Sequence, residues 1–299
     1  LYPPIVRATA LSLLRNYPGD STTAALRFAL QDEDALIRYT AAEAATAPSP
    51  QELVDLLAPL LFDATRAVRG MAASRLAGQP SELFKPYQAE ALDEVVAEYV
   101  SSMEYSLDFA FAGHNLGNLY VALGDAATAE SYYRSAVEID TEFLPAKMNL
   151  AVLLNAQGRN DEAENLVREV LEVDPEFGES VYSLALLSAE AGRVEEAAEL
   201  LRRATELMPT RARAWFNLGL AEQQLGRLNE AEDAFRGALE LEPDNLDYLS
   251  ALADHYARRQ TRPGLKEIAE RLEATHPAAP ITGQVRAVVD QVEAGRGGG

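Results

Sequence analysis

Three histidines, His114, His255 and His276, are the side chains best able to ligate a metal or carry a proton in this chain. A zinc centre needs ligands one helical turn apart or gathered at a turn, and none of the three has such a partner in sequence, so no metal site is expected. Each reads as a polar side chain facing water or lining a groove. There is no cysteine among the 299 residues, which removes disulfides, thiolate ligands and the C-x-x-C-H attachment of c-type haem from this stretch. Glycines stand singly and never as G-x-G-x-x-G or G-x-x-x-x-G-K, so no phosphate cradle is present, and G-x-S-x-G is absent too. Neighbouring acids such as Glu195 and Glu196 face different sides of a helix and read as a solvated surface. What remains is noncovalent chemistry: the chain is expected to be non-catalytic, to carry no cofactor of its own, and to hold another molecule.

The elements that would position such a surface are repeated. Pro175, Pro209, Pro243 and Pro277 fall 34 residues apart, as do Gly124, Gly158, Gly192 and Gly226. In the same register small residues recur after leucine at Gly117, Ala151, Ala185, Gly219 and Ala253, and again at Ala129, Ala163, Ala197 and Ala231. Two antiparallel helices must approach closely at such positions, where a large side chain would force them apart. Trp215, Leu218, Gly219, Ala231, Phe235 and Ala238 fill out the pattern, and AWFNLGLAEQQLGRLNEAEDAFRGALELEPDN resembles the tetratricopeptide repeat along its length. The resemblance implies five helix-turn-helix units at 110–143, 144–177, 178–211, 212–245 and 246–279. The fifth departs from the pattern, with Gln260 for the turn glycine and Leu265 for the small alanine. Residues 280–294 resemble a terminal capping helix, and residues 295–299, GRGGG, read as a flexible tail.

Residues 1–78 keep a different period. Arg7, Arg38 and Arg69 are 31 apart, as are Asp32 and Asp63, with Ala10, Ala41 and Ala72 in step. LVDLLAPLLFDATRAVRGMAASRLAG, with Pro59 in its first helix and Val-Arg opening its second, resembles a short variety of HEAT repeat. The arginines are expected to stack with the turn acids into a ladder between neighbouring repeats. Between the arrays, residues 79–109 give a turn-rich connector, QPSELFKPY, and then the helical periodicity of Leu92, Val95, Val96, Tyr99, Met103 and Leu107, expected as one long helix on which the second array stacks. The fold class is therefore all-α, an α-solenoid in which a short HEAT-like array continues into a tetratricopeptide superhelix. The chain opens on Leu1 within a repeat, which raises the expectation of a preceding segment.

Net charge is −21, nearly all of it beyond residue 80. Such a surface repels phosphate backbones, so a protein or extended peptide, basic in character, is the expected partner, with no nucleic acid. No apolar run reaches the length of a membrane span, so no membrane insertion is expected. In the tetratricopeptide family the first helix of each unit lines a concave groove. The resemblance places there Asn115, Asn118, Met148, Asn149, Asn155, Tyr182, Ser183, Arg213, Phe216, Asn217, Gln223 and Gln224. Asn115, Asn149 and Asn217, with Ser183 in the same row, resemble the asparagine ladder of peptide-holding relatives, whose amides pair with a backbone regardless of its side chains. Asparagine also occupies this position in repeats that hold nothing, so both readings stand. The cationic clamp for a C-terminal carboxylate is not evident, with only Lys147 near.

The order of parts, LLAPLLFDATRAVRGMAASRLAG, a connector, AEYVSSMEYSLDFA and then GHNLGNLYVALGDAATAESYYRSAVEID, is similar to the C-terminal region of bacterial multihaem c-type cytochrome proteins. That resemblance implies a periplasmic or extracellular docking arm for c-type cytochromes and electron transfer, with haem carried upstream or by a partner. A peptide-holding assembly factor, or the regulatory arm of an enzyme domain lying upstream, is the alternative.

Overall fold

The computed structural model describes residues 2–14, 17 and 19–294; the expected glycine-rich tail at 295–299 lies outside them. Every regular element among the described residues is helical. The chain forms two compact units, Leu1–Leu153 and Leu154–Gly299.

In the first unit, helices α1 (Pro4–Leu14), α2 (Asp20–Ala29), α3 (Ala35–Ala44), α4 (Pro50–Leu57) and α5 (Arg66–Leu76) carry the 31-residue period. Pro59 does not lie inside an α-helix. It sits where α4 gives way to a 3₁₀ segment, Ala58–Phe62, because a proline removes a backbone donor and crowds the preceding turn. Asp34 and Ser49 cap α3 and α4 by accepting from the backbone amides of Leu36 and Glu52. The inner faces of these helices bury Leu26, Ile37, Ala41, Val54, Leu57, Val68, Ala72 and Leu76 in one core.

The arginine ladder is present, and it is partly buried. Arg7 pairs with Asp32, and Arg38 grips Asp63 with two bonds of 2.6 and 2.9 Å while donating to the backbone carbonyls of Asp32 and Glu33. Arg69 repeats the arrangement, donating to the carbonyls of Asp63 and Ala64 and, in place of a third aspartate, to Glu98 of the next helix. Each rung thus ties the turn of one repeat to the acid of the following one. Asp63 and Asp32 also accept the amides of Thr65 and Asp34, so both ends of the rung are held.

Helix α6 (Pro86–Glu104) starts on its proline and ends five residues before the boundary expected from periodicity. The turn Tyr105–Phe109 intervenes, with Tyr105 and Phe109 exposed, before α7. Val96, Tyr99, Val100 and Met103 of α6 meet Ala77 of the first array and Leu116 and Leu119 of α7 in a shared core. Gly78 lies at φ 77°, and a Cβ there would stand 1.8 Å from the carbonyl oxygen of Ala122, so only glycine permits this approach. Within the first unit, then, the two repeat types are packed together through α6.

The 34-residue repeats follow as helix pairs, α7 (Ala110–Ala122) with α8 (Ala126–Ile139), α11 (Gly178–Glu190) with α12 (Val194–Leu207), α13 (Ala212–Gln224) with α14 (Leu228–Leu241), and α15 (Leu246–Arg259) with α16 (Arg262–Thr275), while α9 (Leu144–Ala156) and α10 (Asn160–Val173) stand at the positions of the second repeat in the chain. Helix α17 (Pro280–Ala294) adds Val285 and Val289 to the core of the last pair. The unit boundary falls inside α9. Turn residues Gly124, Gly158, Gly192 and Gly226 adopt φ of 75° to 78°, and Gln260 takes the same left-handed conformation at φ 55°.

The small residues do what their spacing requires. A Cβ on Gly117 would meet the Tyr133 ring at 2.3 Å, and one on Gly219 the Phe235 ring at 2.5 Å. In the fifth repeat the roles are exchanged: Tyr256 stands on the first helix and Gly264 on the second, at 2.6 Å.

Two outcomes test this. Arg38→Met strands the carboxylate of Asp63, whose side chain is 8% exposed, and should lower stability by about 3 kcal/mol in urea titrations, whereas Arg258→Met should cost less than about 0.5 kcal/mol because its pair is solvated. The Arg38 guanidinium holds Asp63 below its ordinary 3.8, so this stabilisation is present above about pH 4 and disappears as acid takes the pH down through the depressed value. Gly219→Ala should cost about 1–3 kcal/mol by pushing the Phe235 ring out of place.

Candidate partner-binding faces

The side chains assigned to the groove fall on the first helices of the 34-residue pairs, and the structure divides them between the two units.

In the first unit Asn118 is the centre of a network. Its Oδ1 accepts the Tyr133 hydroxyl at 2.6 Å and the Asn149 amide at 2.7 Å, and its Nδ2 stands 3.1 Å from His114 Nε2. An amide nitrogen only donates, so Nε2 must accept and the imidazole is neutral with its proton on Nδ1. Burial between Tyr133 and Phe143 pushes the His114 pKa down, in accord with that assignment. Asn115 points its amide at Met103 Sδ, 3.9 Å away. Asn118 is exposed, Asn115 and Asn149 are half-buried, and Met148 is buried, not open to a ligand as its register position implied. Val152, one turn beyond Met148, is 60% exposed.

In the second unit, the Asn155 amide donates to Glu190 at 2.8 Å and to Asn160. Further along, α11, α13 and α15 lie side by side. Asn217 donates to the Tyr182 hydroxyl at 2.8 Å, leaving its carbonyl oxygen without a partner among the described residues. Phe216 stacks on Tyr248 with ring centroids 4.8 Å apart, and Gln223 meets His255 Nδ1 at 2.9 Å. Arg211 lies 4.4 Å over the Tyr182 ring and Arg213 5.2 Å over Phe216. Tyr182 and Phe216 are themselves buried, contrary to the expectation of open groove residues, because each ring is covered by an arginine and a neighbouring first helix. Ser183 and Gln223 are half-buried, and Arg213, Leu220 and Gln224 are exposed.

Two members of the asparagine row, Asn149 and Asn217, therefore bridge adjacent repeats, while Asn115 turns to Met103 of α6 and Asn155, outside the row, is engaged with Glu190. A single such amide still offers its oxygen to a ligand's N–H. Tyr248 and Arg211 were not among the expected residues. The 34-residue register points to Ser250 as the counterpart of Phe216, and the aromatic that stacks stands two residues earlier; no spacing signal marks Arg211.

His255 corrects another expectation. It is fully buried, packed edge-on against Phe235 and Tyr256, with Nε2 unpartnered among the described residues. Burial, then Arg259, depresses its pKa against the weaker pull of Glu232 and Asp254. Glu196 likewise does not simply face water: with Glu164, Arg168 and Arg193 it closes a network of ion pairs at 2.7–3.0 Å joining α10 and α12. Among the described residues no group of three or more His, Asp or Glu is placed to hold a metal ion, and no helix is long and apolar enough to cross a membrane.

Residues 120–187 and 188–256 match the tetratricopeptide repeat family, so this stretch is built of tetratricopeptide repeats. No curated protein sequence matches the chain. Among solved structures it is similar to PilW, a widely conserved type IV pilus biogenesis factor, at 18% identity over 72% of this chain and 97% of that one with a TM-score of 0.56. It is also similar to Pseudomonas aeruginosa PilF, at 15% identity over 80% and 98% with a TM-score of 0.54. YrrB, a TPR protein with an unusual peptide-binding site, matches at 21% identity over 62% and 96% with a TM-score of 0.53. These likenesses show a tetratricopeptide-type helical fold.

The buried imidazole gives a pH test. Because the folded pKa is depressed, the unfolded chain takes up the proton first, and stability falls as pH drops below the ordinary 6.5. Between pH 7.5 and 5 the thermal midpoint should fall by about 3–5 °C more in the wild type than in His255→Leu, measured by circular dichroism.

Proposed function

We propose that this chain is a non-catalytic scaffold that holds segments of other proteins, in extended form, on the first-helix faces of its tetratricopeptide repeats. The observation that carries this reading is the row across α11, α13 and α15. There Asn217 presents an unused amide oxygen, Leu220 stands 42% exposed one turn away, and the Phe216–Tyr248 stack fixes the surface between them. An amide acceptor beside an apolar side chain on a rigid face suits a peptide backbone plus one anchoring residue. The name of YrrB includes a peptide-binding site and that of PilW a role in biogenesis, and both uses of the fold agree with an assembly-factor role here.

The setting follows from the order of the two arrays, which resembles the repeat region of multihaem cytochrome proteins. On that ground c-type cytochromes outside the cytoplasm are the proposed class of partner. A purified c-type cytochrome titrated with the chain should show saturable binding in sedimentation followed at the Soret band, and sedimentation unchanged across the titration would remove this part.

Peptide holding is tested by panning a displayed library of random decapeptides against the full chain and measuring recovered peptides by fluorescence anisotropy. Leu220→Asp combined with Asn217→Ala should weaken them by about tenfold or more. Affinities unchanged by these substitutions would mean that this face is not the site.

A further inference from the structure

We infer that the first-helix face of the second unit selects segments in which an acidic side chain stands next to an apolar one, with Arg213 as the group that meets the carboxylate and Arg211 beside it. This rests on the peptide-holding reading and narrows it.

The chain carries 47 acids against 26 Lys plus Arg, so an arginine without a close carboxylate requires explanation. Several arginines on or beside the second helices of this unit are held by pairs of carboxylates. Arg168 and Arg193 each bridge Glu164 and Glu196, and Arg236 bridges Glu232 and Glu267. Arg213 differs. Its guanidinium lies over Phe216, its nearest acid is Asp247 at 4.0 Å, and the two side chains are 55% and 75% exposed. A solvated pair at that distance contributes little and exchanges readily for a better one. A guanidinium over an aromatic face at the surface still has donors to spare, and an arginine receives a carboxylate through two parallel bonds. Arg211 takes the same pose over Tyr182, shared with the exposed carboxylate of Glu179.

The apolar half of the motif is set by Leu220, one turn from Phe216, and by the half-buried Leu186 on α11. The acid belongs to a side chain within the segment and not to a chain end. Arg213 lies on the middle of three adjacent first helices, and polar positions continue on both sides, at Ser183 on α11 and Ser250 on α15. Flanking carboxylates at Glu190 and Asp254 disfavour a second acid in the ligand. The fitting segment therefore has one acid at its centre with neutral or basic neighbours, which reconciles these arginines with a basic partner for so acidic a chain.

The test uses acetylated, amidated decapeptides taken from the library panning, each paired with its Glu→Gln or Asp→Asn counterpart and measured against the full chain and against Arg211→Gln/Arg213→Gln. Arg213 is exposed and Arg211 half-buried over Tyr182, and thermal melting of the double variant verifies that it is folded before binding is compared. The expected result is a single acid beside an apolar residue in the recovered sequences, a loss of about tenfold for the amide counterpart on the wild type, and less than about twofold on the double variant. Recovered peptides without an acid, amide counterparts that bind as tightly, a preference that survives in the double variant, or binding that needs a free C-terminal carboxylate would each overturn the inference while leaving peptide holding intact. A library that yields no binder would overturn both.

Discussion

Close approach of two helices at a small residue is the contact on which the 34-residue repeats depend. In the first and fourth repeats Tyr133 on Gly117 and Phe235 on Gly219 leave no room for a single added carbon, and in the second and third repeats Ala151 and Ala185 take the glycine's place. Everything on the first-helix face inherits that spacing. Asn217 reaches Tyr182, and Phe216 reaches Tyr248, because each of these first helices packs closely on its second helix, at Ala185, Gly219 and Gly264. The fifth repeat shows that the geometry matters and the order does not: ring and glycine change helices between Tyr256 and Gly264, and the approach is equally tight.

The first array solves the same problem by other means. Its helices present mainly alanines and aliphatic side chains, with a ring-on-glycine contact only at its end, where Tyr99 of α6 lies on Gly70 of α5, and its repeats are registered by charge, through Arg38 with Asp63 and Arg69 with Glu98. The substitution of Glu98 for a third aspartate is informative. The longer side chain comes from the middle of α6 and not from a turn, and by accepting Arg69 it lets a helix of neither period complete the last rung. Gly78 and the core around Leu116 then pass the packing to the first 34-residue pair.

Much of this was legible from spacing. The two periods, the turn glycines and the small positions follow from the requirement that equivalent residues meet equivalent surroundings, and the arginine ladder could be anticipated because acid and base recur in step. The faces were less legible. Sequence register places Tyr182, Phe216 and Met148 on a face but cannot say that neighbouring helices and stacked arginines cover them. Nor can it show that Asn149 and Asn217 direct their amides at other repeats, since those bonds join residues about one repeat apart whose relative height depends on the stacking of pairs. His255 reads as surface from its polar side chain alone, although in the 34-residue register it aligns with Leu119, Leu187 and Ala221, which are all buried.

The ladder of the first array also bears on how such an array can change its length. Arg7, Arg38 and Asp32, Asp63 recur at one interval, and each rung joins an arginine to the acid 25 residues on. Excision of one whole period would bring Arg7 opposite Asp63 at the same separation of 25 residues, whereas loss of a few residues would break the rung that spans the deletion. Whole-module duplication and deletion are thus the changes of size this part of the chain can absorb without new side chains, and its present number of repeats is one setting of an adjustable length.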